Sequence, residues 1–316
     1  TQKPQSVIEA VAGYYASYNA NVHRGIHTLA EEATAAYEAT RSAVAKFLGG
    51  TSSKQIVFTK GATESLNLVA FGWGEKFLAE GDEVLLTQME HHANLIPWIM
   101  LSKRKGIRLR HIPITQDGVL DLSGLKELIN SRTRLVSLTQ MSNVLGTLNP
   151  VQEIAAEAHR MGALVVVDGA QSVPHIPVKV EDLGADLLAF SAHKMLGPTG
   201  VGVLWGKMEV LESMEPLMGG GEMIRKVEFD SATWNDVPWK FEAGTPNIAG
   251  VVAFSSALEY LTSVGMENIR RHDLQLTAYA LDRLQTLGNI TIYGPADPEK
   301  RSGVVSFNDR DIHPHD

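Results

Sequence analysis

Between residues 55 and 205, short apolar runs rich in β-branched residues take turns with helix-period segments, and few folds admit that alternation. Strands are predicted at 55–59, 83–87, 108–113, 134–138, 163–167, 187–190 and 201–205, and helices at 64–71, 93–105, 122–130 and 151–161. Strand-helix repetition of this kind gives an α/β fold, a mostly parallel central sheet with helices on both faces. A long surface helix, 29–48, rich in Ala and Glu, precedes it and is ended by Gly49-Gly50. From 219 to 250 the pattern dissolves into glycine, proline and tryptophan, as expected of loops passing over a site or a subunit boundary. Helices at 249–265 and 267–287 and two strands within 288–307 follow. Residues 1–262 are therefore expected to form a large domain, and 263–316 the beginning of a smaller α+β C-terminal domain.

Two of the buried strands end in charge. The run from Asp186 to Phe190 leads into Ser191-Ala192-His193-Lys194, and the run Ala163 to Val167 leads into Asp168-Gly169-Ala170-Gln171. A lysine stopping a core strand cannot easily reach water, so it lies under a cofactor or beside a partner. The interval of 26 residues from Asp168 to Lys194 leaves room for one crossover between neighbouring parallel strands, so the two can meet at one sheet edge. A Schiff-base lysine with an aspartate for a pyridinium nitrogen is the pair that pyridoxal 5′-phosphate (PLP) requires, and a structural ion pair is the plain alternative. Further candidates also follow predicted strands. Lys60-Gly61-Ala62-Thr63-Glu64 offers backbone N–H groups and the Thr63 hydroxyl to an anion, or is an ordinary glycine turn with a threonine N-cap. His91 could stack on a planar ring or merely cap a helix, and Asn143 could hydrogen-bond a substrate or a ring oxygen. Open α/β sheets bind ligands outside the carboxyl ends of their strands, so the agreement of these positions favours a site.

Composition narrows the partners. The net charge is −8 with no basic run, which argues against nucleic acid or an anionic membrane and for a small molecule. No apolar stretch reaches the ~18 residues of a spanning helix, and no signal-peptide layout opens the sequence, so a soluble, cytoplasmic protein is expected. Zero cysteines remove disulfides, thiolate metal sites and any cysteine nucleophile from these residues. Adjacent His91 and His92 point in different directions and no HExxH spacing occurs, so no metal site is expected. Gly206-Lys207 is followed by Met208, with Val201 where a P-loop needs glycine, and Trp205 stands where a dinucleotide fingerprint needs its third glycine. No GxSxG elbow occurs, and Asn289-Ile290-Thr291 is read as a chance glycosylation match.

With these residues in place the chain resembles a fold-type I PLP enzyme of the class V aminotransferase group, and within it a Suf-type (group II) cysteine desulfurase. The resemblance is carried by Val22-His23-Arg24-Gly25-Ile26-His27, Thr63-Glu64, Gln88 to Asn94, Ser142 to Gly146, Val167 to Gln171, Ser191 to Lys194 with Gly197 to Gly200, and Phe241 to Asn247. It implies Lys194 as the internal aldimine and catalytic base, and His91 as the ring-stacking residue. It further implies Asp168 at the pyridine nitrogen, Gln171 at the ring hydroxyl oxygen, and Thr63, Ser191 and His193 at the phosphate. Thr245 would reach the phosphate of the neighbouring subunit, making a homodimer, and Asn143, His23 and Glu64 would lie near the substrate. The implied reaction converts L-cysteine to L-alanine and passes persulfide sulfur to an acceptor protein of the Suf system for iron-sulfur cluster assembly. In that family the nucleophilic cysteine and the carboxylate-binding arginine lie in the C-terminal domain, so both are expected beyond residue 316. As written, the chain is expected to bind PLP without completing persulfide formation. A selenocysteine lyase (L-selenocysteine as substrate), another aminotransferase-group enzyme, and a non-catalytic scaffold stand as alternatives.

Overall fold

The computed structural model describes residues 2–315. In chain order, helices α1 (Gln5–Ser17) and α2 (Thr28–Phe47) precede strand β1 (Ile56–Thr59). Helix α3 (Ala62–Leu68) widens into a π turn over Val69–Gly74 and ends as α4 (Glu75–Phe77). Next come β2 (Glu83–Thr87), α5 (His92–Lys105), β3 (Arg108–Ile112), α6 (Leu125–Leu128), β4 (Thr133–Thr139), α7 (Val151–Arg160) and β5 (Leu164–Asp168). Then α8 (Val180–Leu183), β6 (Leu187–Ser191), β7 (Gly202–Gly206) and α9 (Met208–Ser213) lead to a hairpin of β8 (Ile224–Val227) and β9 (Ala232–Trp234). Finally α10 (Ile248–Val264) and α11 (Met266–Gln285) are followed by the antiparallel pair β10 (Ile290–Tyr293) and β11 (Ser306–Asp309).

Two compact units form. One comprises Thr1–Leu78, Val178–Asp182 and Asp186–Val264 and holds the sheet strands β1-β7-β6, in that order, together with the β8–β9 hairpin. Strand β7 runs against both neighbours, so the C-terminal ends of β1 and β6 come together, Thr59 and Ser191 each registering with Gly202. Helix α10 packs on both α1 and α2, which is why its sequence is apolar on nearly every side rather than striped.

Strand β1 is the edge of its sheet. Two of its outward main-chain groups are met by an ion pair: Arg41, 1% exposed, donates to the Ile56 carbonyl at 2.8 Å, and Glu242 accepts from the Phe58 N–H at 2.8 Å. Arg41 and Glu242 pair at 2.6 Å, and the guanidinium lies 4.6 Å from the Phe58 ring centroid. Burial alone would lower the Arg41 pKa, but the Glu242 charge beside it prevails and raises it above the usual range.

The other unit comprises Ala79–Pro177, Leu183–Ala185 and Gly265–Asp316. Besides the antiparallel β10–β11 pair it holds the sheet strands β5-β4-β2-β3, which are all parallel, so their C-terminal ends share one edge. All five residues of β2 are buried, as a strand covered on both faces requires.

Several expectations are corrected. The helix expected over 122–130 is only α6, because Asp121 Oδ1 takes both the N–H (3.0 Å) and the hydroxyl (2.6 Å) of Ser123 and holds the chain in a turn. The stretch 219–250 is not loop alone: it carries the β8–β9 hairpin and a 3₁₀ turn at Trp239–Phe241. Helix α3 starts before residue 64, with Gly61 at its N-cap, so Thr63 lies in the first turn and is not a cap. Its π turn follows from Gly72, where a Cβ would stand 2.5 Å from the Glu215 carbonyl oxygen.

Candidate active site

In the first unit, Gly202 decides the geometry. A Cβ on it would lie 2.3 Å from Gly61 Cα, so only glycine lets the loop after β1 drop onto the end of β6. That approach allows Ser191 Oγ to accept from the Ala62 N–H at 2.8 Å, satisfying one free donor at the start of α3. Thr59 Oγ1 bonds the Gly61 carbonyl (3.1 Å) and Ser65 Oγ (2.9 Å), and the Glu64 carboxylate takes the Lys60 N–H, closing the loop on both sides. The Thr63 side chain is exposed and forms no hydrogen bond among the described residues. Gly202→Ala is expected to cost about 1–3 kcal/mol through overpacking, read as a fall in the urea midpoint.

Lys194 ends the 3₁₀ turn that leaves β6. The turn is locked by Met195 N–H (2.8 Å) and Gly197 N–H (2.9 Å), both on the Ala192 carbonyl, and Leu196, two residues after the lysine, adopts φ 63. Lys194 is half-buried, and its amine has no hydrogen-bond or ion-pair partner among the described residues. His193 is pushed below the usual imidazole range by burial first, then by the charges of Lys194 and Lys3, whose ammonium donates to the His193 carbonyl at 3.1 Å. Both lysine charges would also favour a neighbouring anion. Thr245 is exposed on the turn before α10 and makes no hydrogen bond with Thr63, Ser191 or His193. His23, in the left-handed region at φ 66, is engaged by Glu38 at 2.9 Å rather than by any other candidate.

In the second unit, His91, Asn143, Asp168 and Gln171 all lie at the shared C-terminal edge of β2, β4 and β5. Asp168 is 3% exposed, its Oδ1 accepts from the Ala170 N–H at 2.9 Å, and its carbonyl accepts from the Gln140 N–H at 3.1 Å. His91 is the N-cap of α5, its Nδ1 accepting from the Ala93 N–H at 3.1 Å. This cap uses the ring edge of an exposed imidazole, and the His92 ring lies beside it, centroids 5.9 Å apart and tilted by 39°, rather than pointing away as expected. Ser142 Oγ accepts from the Leu145 N–H (3.1 Å), and the Ser302 N–H reaches the Gly146 carbonyl (2.8 Å), fixing the turn that presents Asn143. The half-buried amides of Asn143 and Gln171 have no side-chain hydrogen bond among the described residues.

Sequence reasoning gave Glu90 no role. Its carboxylate accepts from the Thr87 hydroxyl (2.6 Å), the Asn94 amide (2.6 Å) and the Thr139 N–H (3.0 Å). Burial nevertheless pushes its carboxyl up to about 7, and the Asp168 charge adds to the rise. A carboxylate between a buried strand and a helix start was the available signal.

Glu90 and Glu38 act on stability with opposite signs. For Glu90 the folded pKa of about 7 exceeds the ordinary 4.5, so its contribution is full below 4.5 and is lost as pH rises through 7. Burial opposes the shift of Glu38, but hydrogen bonds from His23 and Arg41 hold its carboxyl at about 2, so its contribution is lost as pH falls from 4.5 toward 2. The Glu90 contribution is on the order of 2–3 kcal/mol. That of Glu38, 33% exposed, is nearer ~1 kcal/mol after solvent screening. Urea midpoints at pH 5 and 7 are expected to decline for the parent chain by this amount more than for Glu90→Gln; equal declines would refute the assignment.

A family model described as "Aminotransferase class-V" matches residues 1–316. A cysteine desulfurase of Haloferax volcanii is 51% identical over 314 residues, covering 99% of this chain and 74% of the relative. The apo structure of a cysteine desulfurase from Thermococcus onnurineus NA1 superposes with TM-score 0.94 at 41% identity, over 100% of this chain and 78% of that one. A C-DES variant with glycine covalently linked to its PLP cofactor gives TM-score 0.86 at 25% identity, over 97% of this chain and 80% of that one. The α/β fold, with its mostly parallel central sheet flanked by helices, is thus that of solved cysteine desulfurases.

The family implies PLP, and the residues present fit it. An amine with no partner among the described residues follows one buried strand, a fixed and nearly inaccessible carboxylate ends another, and a glycine-only approach shapes the loop expected to take the phosphate. The chain belongs to the class-V aminotransferase family, in its cysteine desulfurase branch.

Proposed function

We propose that this chain is the PLP-binding part of a Suf-type (group II) cysteine desulfurase that converts L-cysteine to L-alanine. The observation carrying the proposal is Lys194, a half-buried amine closing the turn after β6, with no hydrogen-bond or ion-pair partner among the described residues. When bound, PLP supplies an electron sink for the charge left on the substrate Cα. Lys194 Nζ would hold the cofactor and serve as the base for the substrate Cα proton. The Asp168 carboxylate, aimed by the Ala170 N–H, would keep a proton on the ring nitrogen, and Gln171 would bond the ring hydroxyl oxygen. His91 would stack on the ring, while Thr63, Ser191 and His193 would bind the phosphate. Thr245 serves the phosphate of a second copy, which makes the enzyme a homodimer. Asn143, Glu64 and His23 orient the substrate.

The 316 residues contain no cysteine, so a thiol outside them receives the sulfur and forms the persulfide. Delivery to a Suf acceptor protein for iron-sulfur cluster assembly is part of the proposal. So is a cytoplasmic setting, where thiols are kept reduced. Residues 1–262 are proposed as the large cofactor-binding domain and 263–316 as belonging to a smaller one. The test is the visible absorbance of the chain loaded with PLP, before and after borohydride, followed by alanine release from L-cysteine with an external thiol acceptor. A borohydride-sensitive band with alanine release supports the proposal, and a chain that shows neither refutes it.

A further inference from the structure

One carboxylate holds together the pieces that present His91 and Asp168. Glu90 precedes the cap residue of α5, and its three hydrogen bonds come from three different elements: Thr87 ends β2, Thr139 ends β4, and Asn94 lies in the first turn of α5. Asn94 is itself fully buried and fixed to β4, its Oδ1 accepting from the Ser137 hydroxyl at 2.6 Å. Thr139 is the register partner of Asp168, and the next N–H, that of Gln140, bonds the Asp168 carbonyl at 3.1 Å. A continuous run of short contacts therefore leads from the helix start carrying His91, through Glu90, to the strand end carrying Asp168.

The chemistry of the node is specific. All three contacts are donors, and only a group with acceptors alone satisfies them; an amide would set its own NH₂ against one of the three. A buried carboxylate near Asp168 is also costly, as the upward shift of Glu90 with Asp168 as a contributor shows. A brace needed only for folding is made more cheaply by neutral groups.

We propose that Glu90 is a positioning residue of the cofactor site, fixing the His91 ring and the Asp168 carboxylate relative to each other through Asn94 and Thr139. The proposal rests on the PLP reading above and adds to it a residue that acts through others. Second-layer hydrogen bonds of this kind set how well a site is preorganised.

The test uses the apo form of the chain and its Glu90→Gln variant, titrated with PLP, with visible circular dichroism of the bound cofactor as a readout of its fixed orientation. Far-UV dichroism establishes that the variant is folded. The expected result is a Kd for PLP raised by about tenfold or more and a weakened visible dichroic band. A Kd within about twofold of the parent value together with an unchanged band overturns the proposal, even if the melting temperature has fallen, because a purely structural brace gives that pattern. Should Glu90→Gln fail to fold, Thr87→Val removes one donor and leaves the charge. It is expected to shift Kd and band in the same direction, and unchanged values overturn the proposal. A parent chain that itself fails to bind PLP overturns both readings; a parent that binds, with variants that bind alike, overturns only this one.

Discussion

Replacing Lys194 by alanine is expected to abolish the borohydride-sensitive band and to lower alanine release by about 10²–10⁴-fold, the usual worth of a positioned general base. The same change should leave stability within about 0.5 kcal/mol, since the Lys194 amine makes no hydrogen bond or ion pair among the described residues. That split identifies a residue kept for chemistry. A structural lysine would show the reverse: a lower urea midpoint with the band intact. Lys194→Arg sharpens the test, because a guanidinium stays protonated and cannot take the Cα proton. An arginine variant retaining more than a few per cent of the alanine release would refute the role given to Nζ.

The largest stability effect is expected at Glu242. Glu242→Ala leaves the Arg41 guanidinium, 1% exposed, with Glu38 and the Ile56 carbonyl as its remaining hydrogen-bond partners. Breaking a buried pair from one side costs about 3–5 kcal/mol, and the lower end is expected here because the more exposed Glu38 still compensates part of the buried charge. Removing both charges together, as Arg41→Met with Glu242→Leu, should cost much less than the sum of the single changes, with Phe58 and Tyr37 already supplying apolar walls. Urea midpoints for the two single variants and the double variant measure this coupling directly. Additive losses would mean that the pair is not a unit.

Much of the architecture was legible because burial writes itself into composition. Strand β2 falls where the apolar run Glu83–Thr87 places it, and every one of its residues is buried. The hairpin β8–β9 was not legible: its residues are mostly exposed, so no alternation marks them, and only the backbone ladder defines them. The antiparallel course of β7 was equally hidden, because the run Gly202–Gly206 carries no sign of its direction. Candidate positions such as Asp168 and Lys194 could be found because the first ends an apolar strand and the second closes the short turn that follows one. Glu90 could not be given a task, since Thr87, Asn94 and Thr139 are meaningful partners only once β2, β4 and α5 are in place. The tie between His23 and Glu38 escaped notice for the same reason: 15 residues separate a loop from a helix face.

The pair at β1 has a meaning beyond folding energy. Ile56–Thr59 is a short run of β-branched and aromatic residues at the rim of a sheet, the type of segment that recruits strands from other molecules. Arg41 and Glu242 occupy the outward carbonyl of Ile56 and the outward N–H of Phe58, so a foreign strand finds its first two docking points taken. An ion pair thus does the work of a missing neighbour strand, and in a crowded solution it keeps copies of the molecule from adding to one another edge to edge.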